Sequence, residues 1–208
     1  MGGYKMRRAF FLLVILSVVS ISGFSQFGTD IFVGYLWGLN PITTAGSITS
    51  VGGEDIMPQM VNAGFLIDYE IADGFSIGGG VGGAFQLAKP LAFESTITPD
   101  ATVHSPFLVD GLIGISYFYP LQPVLLKVNV LGGVSFFNFE GFDNLGYLIK
   151  AKFGVGFDLG GMVLSIGAGY ELRTYNLVTR EEGNPDAKER GSITMHSIPI
   201  ELGITVRF

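Results

Sequence analysis

The 208-residue sequence contains no cysteine, which excludes disulfide staples and thiolate metal sites. Charge is scarce: Asp, Glu, Lys and Arg make up 14% of the chain against 48% hydrophobic residues. The mean hydropathy of +0.47 is too high for an ordinary water-soluble domain of this size. Yet beyond the first 25 residues no apolar run is long enough to cross a bilayer as a helix. In hydrocarbon every backbone N–H and C=O must find a partner within the protein, which restricts spanning structures to helices and closed sheets. With helices excluded, a barrel remains.

The amino terminus reads as a secretory signal peptide over residues 1–25. Lys5, Arg7 and Arg8 precede an apolar stretch from Ala9 to Leu16 that continues, broken only by Ser, to Ile21, and Gly23-Phe24-Ser25 supplies small residues for a cut before Gln26. Residues 26–208 then form one domain, since no linker, low-complexity run or internal repeat divides them. Removing the leader takes three of the 12 basic residues and none of the 18 acidic ones, leaving nine against 18 and a net charge of −9. Nucleic acid is therefore excluded as a partner.

Segments of period-two alternation predict eight antiparallel strands, near Thr29–Leu39, Gln59–Ile71, Phe75–Leu87, Val103–Tyr119, Val124–Asn138, Gly146–Leu159, Met162–Leu177 and Ser192–Phe208. Their connections alternate in length. Ala72-Asp73-Gly74, Pro120 to Pro123 and Gly160-Gly161 are tight turns, while 40–58, 88–102, 139–145 and 178–191 are long loops. This is the pattern of an up-and-down transmembrane barrel with termini and turns on the periplasmic side. Val61, Ala63, Phe65, Ile67, Tyr69 and Ile71 on the second strand, and Tyr147, Ile149, Ala151, Phe153, Val155 and Phe157 on the sixth, are assigned to lipid. Trp37, Phe85, Phe136, Tyr147 and Tyr170 are expected to form the outer aromatic girdle, with Tyr69, Phe75, Tyr117, Tyr119, Phe157 and Phe208 in the periplasmic one.

The final segment alternates Ile198, Ile200, Leu202, Ile204, Val206 and Phe208 with Ser197, Pro199, Glu201, Gly203, Thr205 and Arg207. Glu201, Gly203, Val206 and Phe208 resemble the carboxy-terminal assembly signal of Gram-negative outer-membrane barrels. Residues 27–208 as a whole are similar to the small eight-stranded superfamily with OmpA-transmembrane-like, OmpX-like and OmpW-like members. The resemblance implies an outer-membrane location amid its lipid, delivery by periplasmic chaperones and insertion by the barrel-assembly machinery. It names no extracellular partner.

An eight-stranded barrel is only wide enough to be filled by side chains, so the inward residues decide whether anything can pass. Alternation turns most strand charges inward. Asp30, Asp68, Glu70, Lys127, Asp158, Glu201 and Arg207 are expected in a lower, net acidic layer, and Asp110, Lys150, Lys152, Glu171 and Arg173 in a near-balanced upper one. Buried charges persist when paired. Between the layers, Gly78, Gly80, Gly82, Gly154, Gly156, Gly167 and Gly169 leave the middle nearly bare, which either admits bulky inward neighbours such as Phe118 and Phe137 or creates a small apolar cavity.

No catalytic, metal or cofactor site emerges. Gly78-x-Gly80-x-x-Gly83 matches a dinucleotide-binding string without the helix that its mechanism requires. His104 and His196 fall near the outer rim, but alternation turns His104 inward and His196 outward, with no carboxylate spaced to orient either ring. The expectation is a non-enzymatic barrel with a filled lumen, acting structurally or through its extracellular loops. An OmpW-like conduit or binder for small apolar molecules and a lipid-modifying enzyme at the outer rim are the alternatives.

Overall fold

In the computed structural model, the described residues are 27–39, 43–47, 49–51, 59–87, 92–94, 107–137, 143–181 and 184–208. The signal peptide assigned to 1–25, His104 and much of the long loops lie outside them. Eight long strands form the wall: β1 (Phe27–Gly38), β2 (Gln59–Ala72), β3 (Phe75–Gln86), β4 (Phe107–Leu121), β5 (Val124–Phe137), β6 (Asp143–Asp158), β7 (Met162–Glu181) and β8 (Asn184–Arg207). Each pairs antiparallel with the next, and β1 pairs with β8 from Gly28↔Arg207 to Gly38↔Ser197, so the sheet closes into an eight-stranded up-and-down barrel. Closure satisfies both edges of every strand across the apolar belt.

The alternation becomes two solvents. Along β6, Tyr147, Ile149, Ala151 and Phe153 are exposed outward, while Leu148, Lys150 and Lys152 are buried inward. The lipid-facing sets assigned to β2 and β6 all point outward. Three short turns lie at the end of the barrel that holds both described termini. At one of them Gly160 and Gly161 have φ of +82° and +94°, the left-handed pair that a two-residue hairpin turn requires.

At the opposite end the structure departs from the expectation. The anticipated loop 178–191 is largely strand: β7 and β8 stay paired from Leu177↔Gly191 through Arg180↔Lys188, a ribbon that continues past the last β6–β7 pair at Val178↔Asp143. A short segment, Thr43–Gly46, adds to it through Thr43↔Thr194 to Gly46↔Gly191. Mixed charge in the sequence does not by itself oppose pairing, because the ladder is made by backbone N–H and C=O groups.

Candidate functional site

The lumen charges come from strands that are not neighbours, so their pairing ties one wall to another. Lys127 on β5 donates to Asp30 Oδ2 on β1 at 2.6 Å and to Thr205 Oγ1 at 3.0 Å, and the Thr205 hydroxyl donates to Asp30 Oδ1 at 3.0 Å. Above this, the Glu201 carboxylate on β8 accepts from Lys150, Lys152 and Asn62. Lys150 also lies 3.1 Å from Glu171 Oε2. Arg173 donates through Nε to Glu171 Oε1 at 2.5 Å and through Nη1 and Nη2 to both Asp110 oxygens at 2.7 and 2.9 Å. That two-pronged geometry is the one guanidinium favours. Ser135 donates to Asp110 at 2.6 Å and meets the Tyr175 hydroxyl at 2.7 Å.

The upper set thus holds three acids, Asp110, Glu171 and Glu201, against three bases, Lys150, Lys152 and Arg173. Glu201, expected in the lower layer, is level with the upper lysines. Strands of a closed barrel are tilted and staggered, so equal residue counts from the turns do not give equal heights on strands two apart. Arg207 lies at the mouth, about one-third exposed, 3.8 Å from Glu70 and stacked over Phe118. Glu70 accepts from Gly74 N at 2.9 Å. Asp158 stands outside the network: exposed at the strand end, it accepts from Gly160 N at 2.8 Å and holds the turn. Asp68 is buried, and its Oδ1 has no hydrogen-bond partner among the described residues.

The middle layer is not bare. Phe32, whose role sequence reading missed, projects inward, buried with Leu66, Leu112, Leu131 and Leu148. Its ring lies against Gly64, where a Cβ would collide with it. Lys150 and Lys152 sit 5.0 and 4.7 Å from the ring centroid, so the same side chain fills the space and faces two cations. Gly34 serves Glu201 similarly, since a Cβ there would come within 2.5 Å of Glu201 Cγ. A void of about 20 Å³ adjoins Asp30, Lys127, Lys152 and Glu201, and another of about 10 Å³ adjoins Asn62, Asp110 and Arg173. Each has room for about one water molecule.

Toward the ribbon the lumen turns apolar: Leu36, Met60, Leu108, Phe137, Tyr175, Leu177, Ile193 and Met195 pack together, with the Phe137 and Tyr175 rings 5.1 Å apart. The signal was present in Ile193-x-Met195, which continues the inward parity of Ser197 and Glu201. It was hidden because the inward set changes from polar to apolar without any change of period.

Of the assembly-signal residues, Glu201 is buried in the ion cluster, and Gly203 faces inward, accepting from Ser165 Oγ at 3.4 Å. Val206 faces outward, and Phe208 N donates to Phe27 O at 2.9 Å.

Outside, the apolar belt is continuous, with Ile113 70% and Val81 60% exposed. Tyr147 and Phe157 mark its two rims on β6; ten residue steps of about 3.3 Å, tilted by about 40°, give a height of about 25 Å, the thickness of the hydrophobic band of an outer-membrane barrel.

A closed eight-stranded sheet with an aromatic-edged apolar belt outside and paired charges inside defines a transmembrane β-barrel of the outer-membrane type. No family model matches the chain, and no curated protein matches it in sequence. Among solved structures, the outer membrane protein OprG from Pseudomonas aeruginosa superposes with a TM-score of 0.56 at 10% identity, covering 89% of this chain and 98% of that one. Neisserial surface protein A gives 0.45 at 12% identity over 88% and 97% of the two chains, and AlkL, solved in lipid bilayers, gives 0.46 at 12% over 89% and 93%. At such identity the likeness to OprG is one of fold.

Proposed function

We propose that this chain is a non-enzymatic outer-membrane barrel whose sealed lumen makes it a rigid stand for the extracellular ribbon and loops. Residues 1–25 direct its export, its termini face the periplasm, and Glu201, Gly203, Val206 and Phe208 present it to the barrel-assembly machinery after delivery by periplasmic chaperones. One observation carries the reading: the lumen is spanned wall to wall by the Lys127–Asp30 and Arg173–Asp110 pairs and stoppered above them by the apolar cluster around Tyr175. A conduit would need the glycine-lined middle to be open, and Phe32 with four leucines fills it. A rim enzyme would need a histidine beside a carboxylate; His104 lies outside the described residues, and His196 lies on the outward face, bonded instead to Tyr170.

Function is then carried by what the barrel holds up, since partners of rigid scaffolds bind at surface loops. Purified protein in planar bilayers is expected to give no steady single-channel steps. Sustained, sizeable steps from the wild-type barrel would overturn the sealed-lumen reading. Removing residues 182–187 from the ribbon is expected to abolish surface binding by intact cells while leaving the barrel folded, and unchanged binding counts against the adhesive role.

A further inference from the structure

The outward wall is mostly apolar, and its longest run of polar side chains lies on β7 and β8. There the Tyr170 hydroxyl meets His196 Nδ1 at 2.6 Å, both side chains facing away from the lumen. Trp37 on β1 pairs with Ile198, which makes it a diagonal neighbour of His196 across the β1–β8 ladder, and its ring meets Tyr35 at 6.4 Å. This row is the outer girdle. One rung higher, Thr174 and Thr194 face each other with hydroxyls 3.4 Å apart, followed by Asn176 opposite Ser192 and then Arg190. Among the described outward side chains of the eight staves, Arg190 is the one permanent cation and His196 the one imidazole, and both lie on this strip.

We infer that the outer face of β7–β8, from Tyr170 and His196 up to Asn176 and Ser192, seats the phosphorylated sugar headgroup of an outer-leaflet glycolipid. Tyr170 occupies Nδ1; in the tautomer in which its hydroxyl donates, the ring proton is on Nε2, a donor for a phosphate oxygen at the level where hydrocarbon ends. The hydroxyl and amide ladder directly above offers the mixed donors and acceptors that sugar hydroxyls need. Acyl chains lie below, along Ala168, Leu164 and Ile166 on β7 and Ile200 and Leu202 on β8. Arg190, higher on the strip, adds a permanent cation on a chain that is acidic overall. The inference rests on the outer-membrane reading only for which lipid is met in the cell.

Trp37 is the sole tryptophan of the chain and sits beside the site, so its emission reports occupancy directly. The whole barrel is placed in phosphatidylcholine nanodiscs alone, with diphosphoryl lipid A, or with dephosphorylated lipid A, and inorganic phosphate is added separately to the first. Diphosphoryl lipid A is expected to shift the Trp37 emission and to be retained in native mass spectra on the order of tenfold more than the dephosphorylated lipid. His196→Phe, which keeps the girdle ring, is expected to remove that preference. Tyr170→Phe, which frees the imidazole without altering the wall, is expected to weaken it and serves if His196→Phe does not fold. Equal retention of the two lipids, full retention by both variants, or the same Trp37 response to inorganic phosphate alone overturns the inference. Cell fractionation tests the outer-membrane reading separately, so either can fail without the other.

Discussion

Lys127 and Asp30 form an ion pair between strands on opposite sides of the barrel: β5 and β1 are four staves apart in either direction, and their side chains meet at 2.6 Å across the lumen. Neither group can reach bulk water without leaving the other, since both side chains are almost fully buried. Removing one partner of such a pair strands the other charge and costs about 3–5 kcal/mol, whereas replacing both is far milder. Lys127→Met is therefore expected to destabilise by about 3 kcal/mol, and the double variant with Asp30→Leu by less than that single change. Urea unfolding in lipid vesicles measures both; a double variant as unstable as the sum of its singles would show that the two do not act as a pair.

Glu201 is the counter-charge for two lysines at once. Lys150 keeps Glu171 when Glu201 is neutralised, but Lys152 has no second acid in contact among the described residues. Glu201→Gln is expected to cost several kcal/mol, on the order of that for a stranded buried charge, and Lys152→Met added to it should recover part of the loss. Absence of any recovery in the same unfolding assay would assign the damage to Lys150 or to failed assembly. Heat-modifiable migration on gels separates these, since an unassembled chain shows no folded band.

The division of the wall into a lipid face and a lumen face was legible in the sequence because a pleat has a strict period of two, and Ser197 to Phe208 or Tyr147 to Phe157 violate it nowhere. Heights were less legible. Glu201 was expected below Lys150 because residues were counted from the turns, while stagger between strands is set by closure and leaves no mark on any single strand. Asp158 shares the parity of inward residues, yet it stands one step too near Gly160 to enter the lumen and bonds the turn instead. Phe32 was passed over because an apolar residue in an apolar strand carries no signal of its own; its role is visible only beside Gly64 on the neighbouring strand. Where the outward set becomes Thr174, Thr194 and Asn176 and the inward set Ile193, Met195 and Leu177, the two faces have exchanged character, which marks where the strands leave hydrocarbon.

Phe32 and Gly64 are complementary in volume, and a substitution at either should be read through the other. Gly64→Ala places a methyl against the Phe32 ring and is expected to cost about 1–3 kcal/mol as overpacking. Phe32→Leu removes ring volume from the same space, so the double variant should be more stable than additivity allows. Phe32→Ala is expected to cost about 3–5 kcal/mol and to join the two small voids that the ring borders. Bilayer recordings on that variant give a further check on whether the apolar cluster above can hold the lumen shut alone.

Ile113 and Asn176 both face outward, one at mid-belt on β4 and the other above the outer girdle on β7. If the belt meets hydrocarbon, a lysine at the two sites must differ in cost by the price of burying a charge at that depth. Ile113→Lys is expected to destabilise by about 2–4 kcal/mol and Asn176→Lys by about 0–1 kcal/mol in vesicle unfolding experiments. In water the ranking would vanish, since an exposed isoleucine on a soluble surface tolerates lysine. Ile113 sits between Phe107 and Tyr117 on its strand, far from both rims, so snorkelling toward headgroups cannot relieve the charge as it would nearer the girdles. Equal stability of the two lysine variants would mean that the outward face does not meet lipid at all.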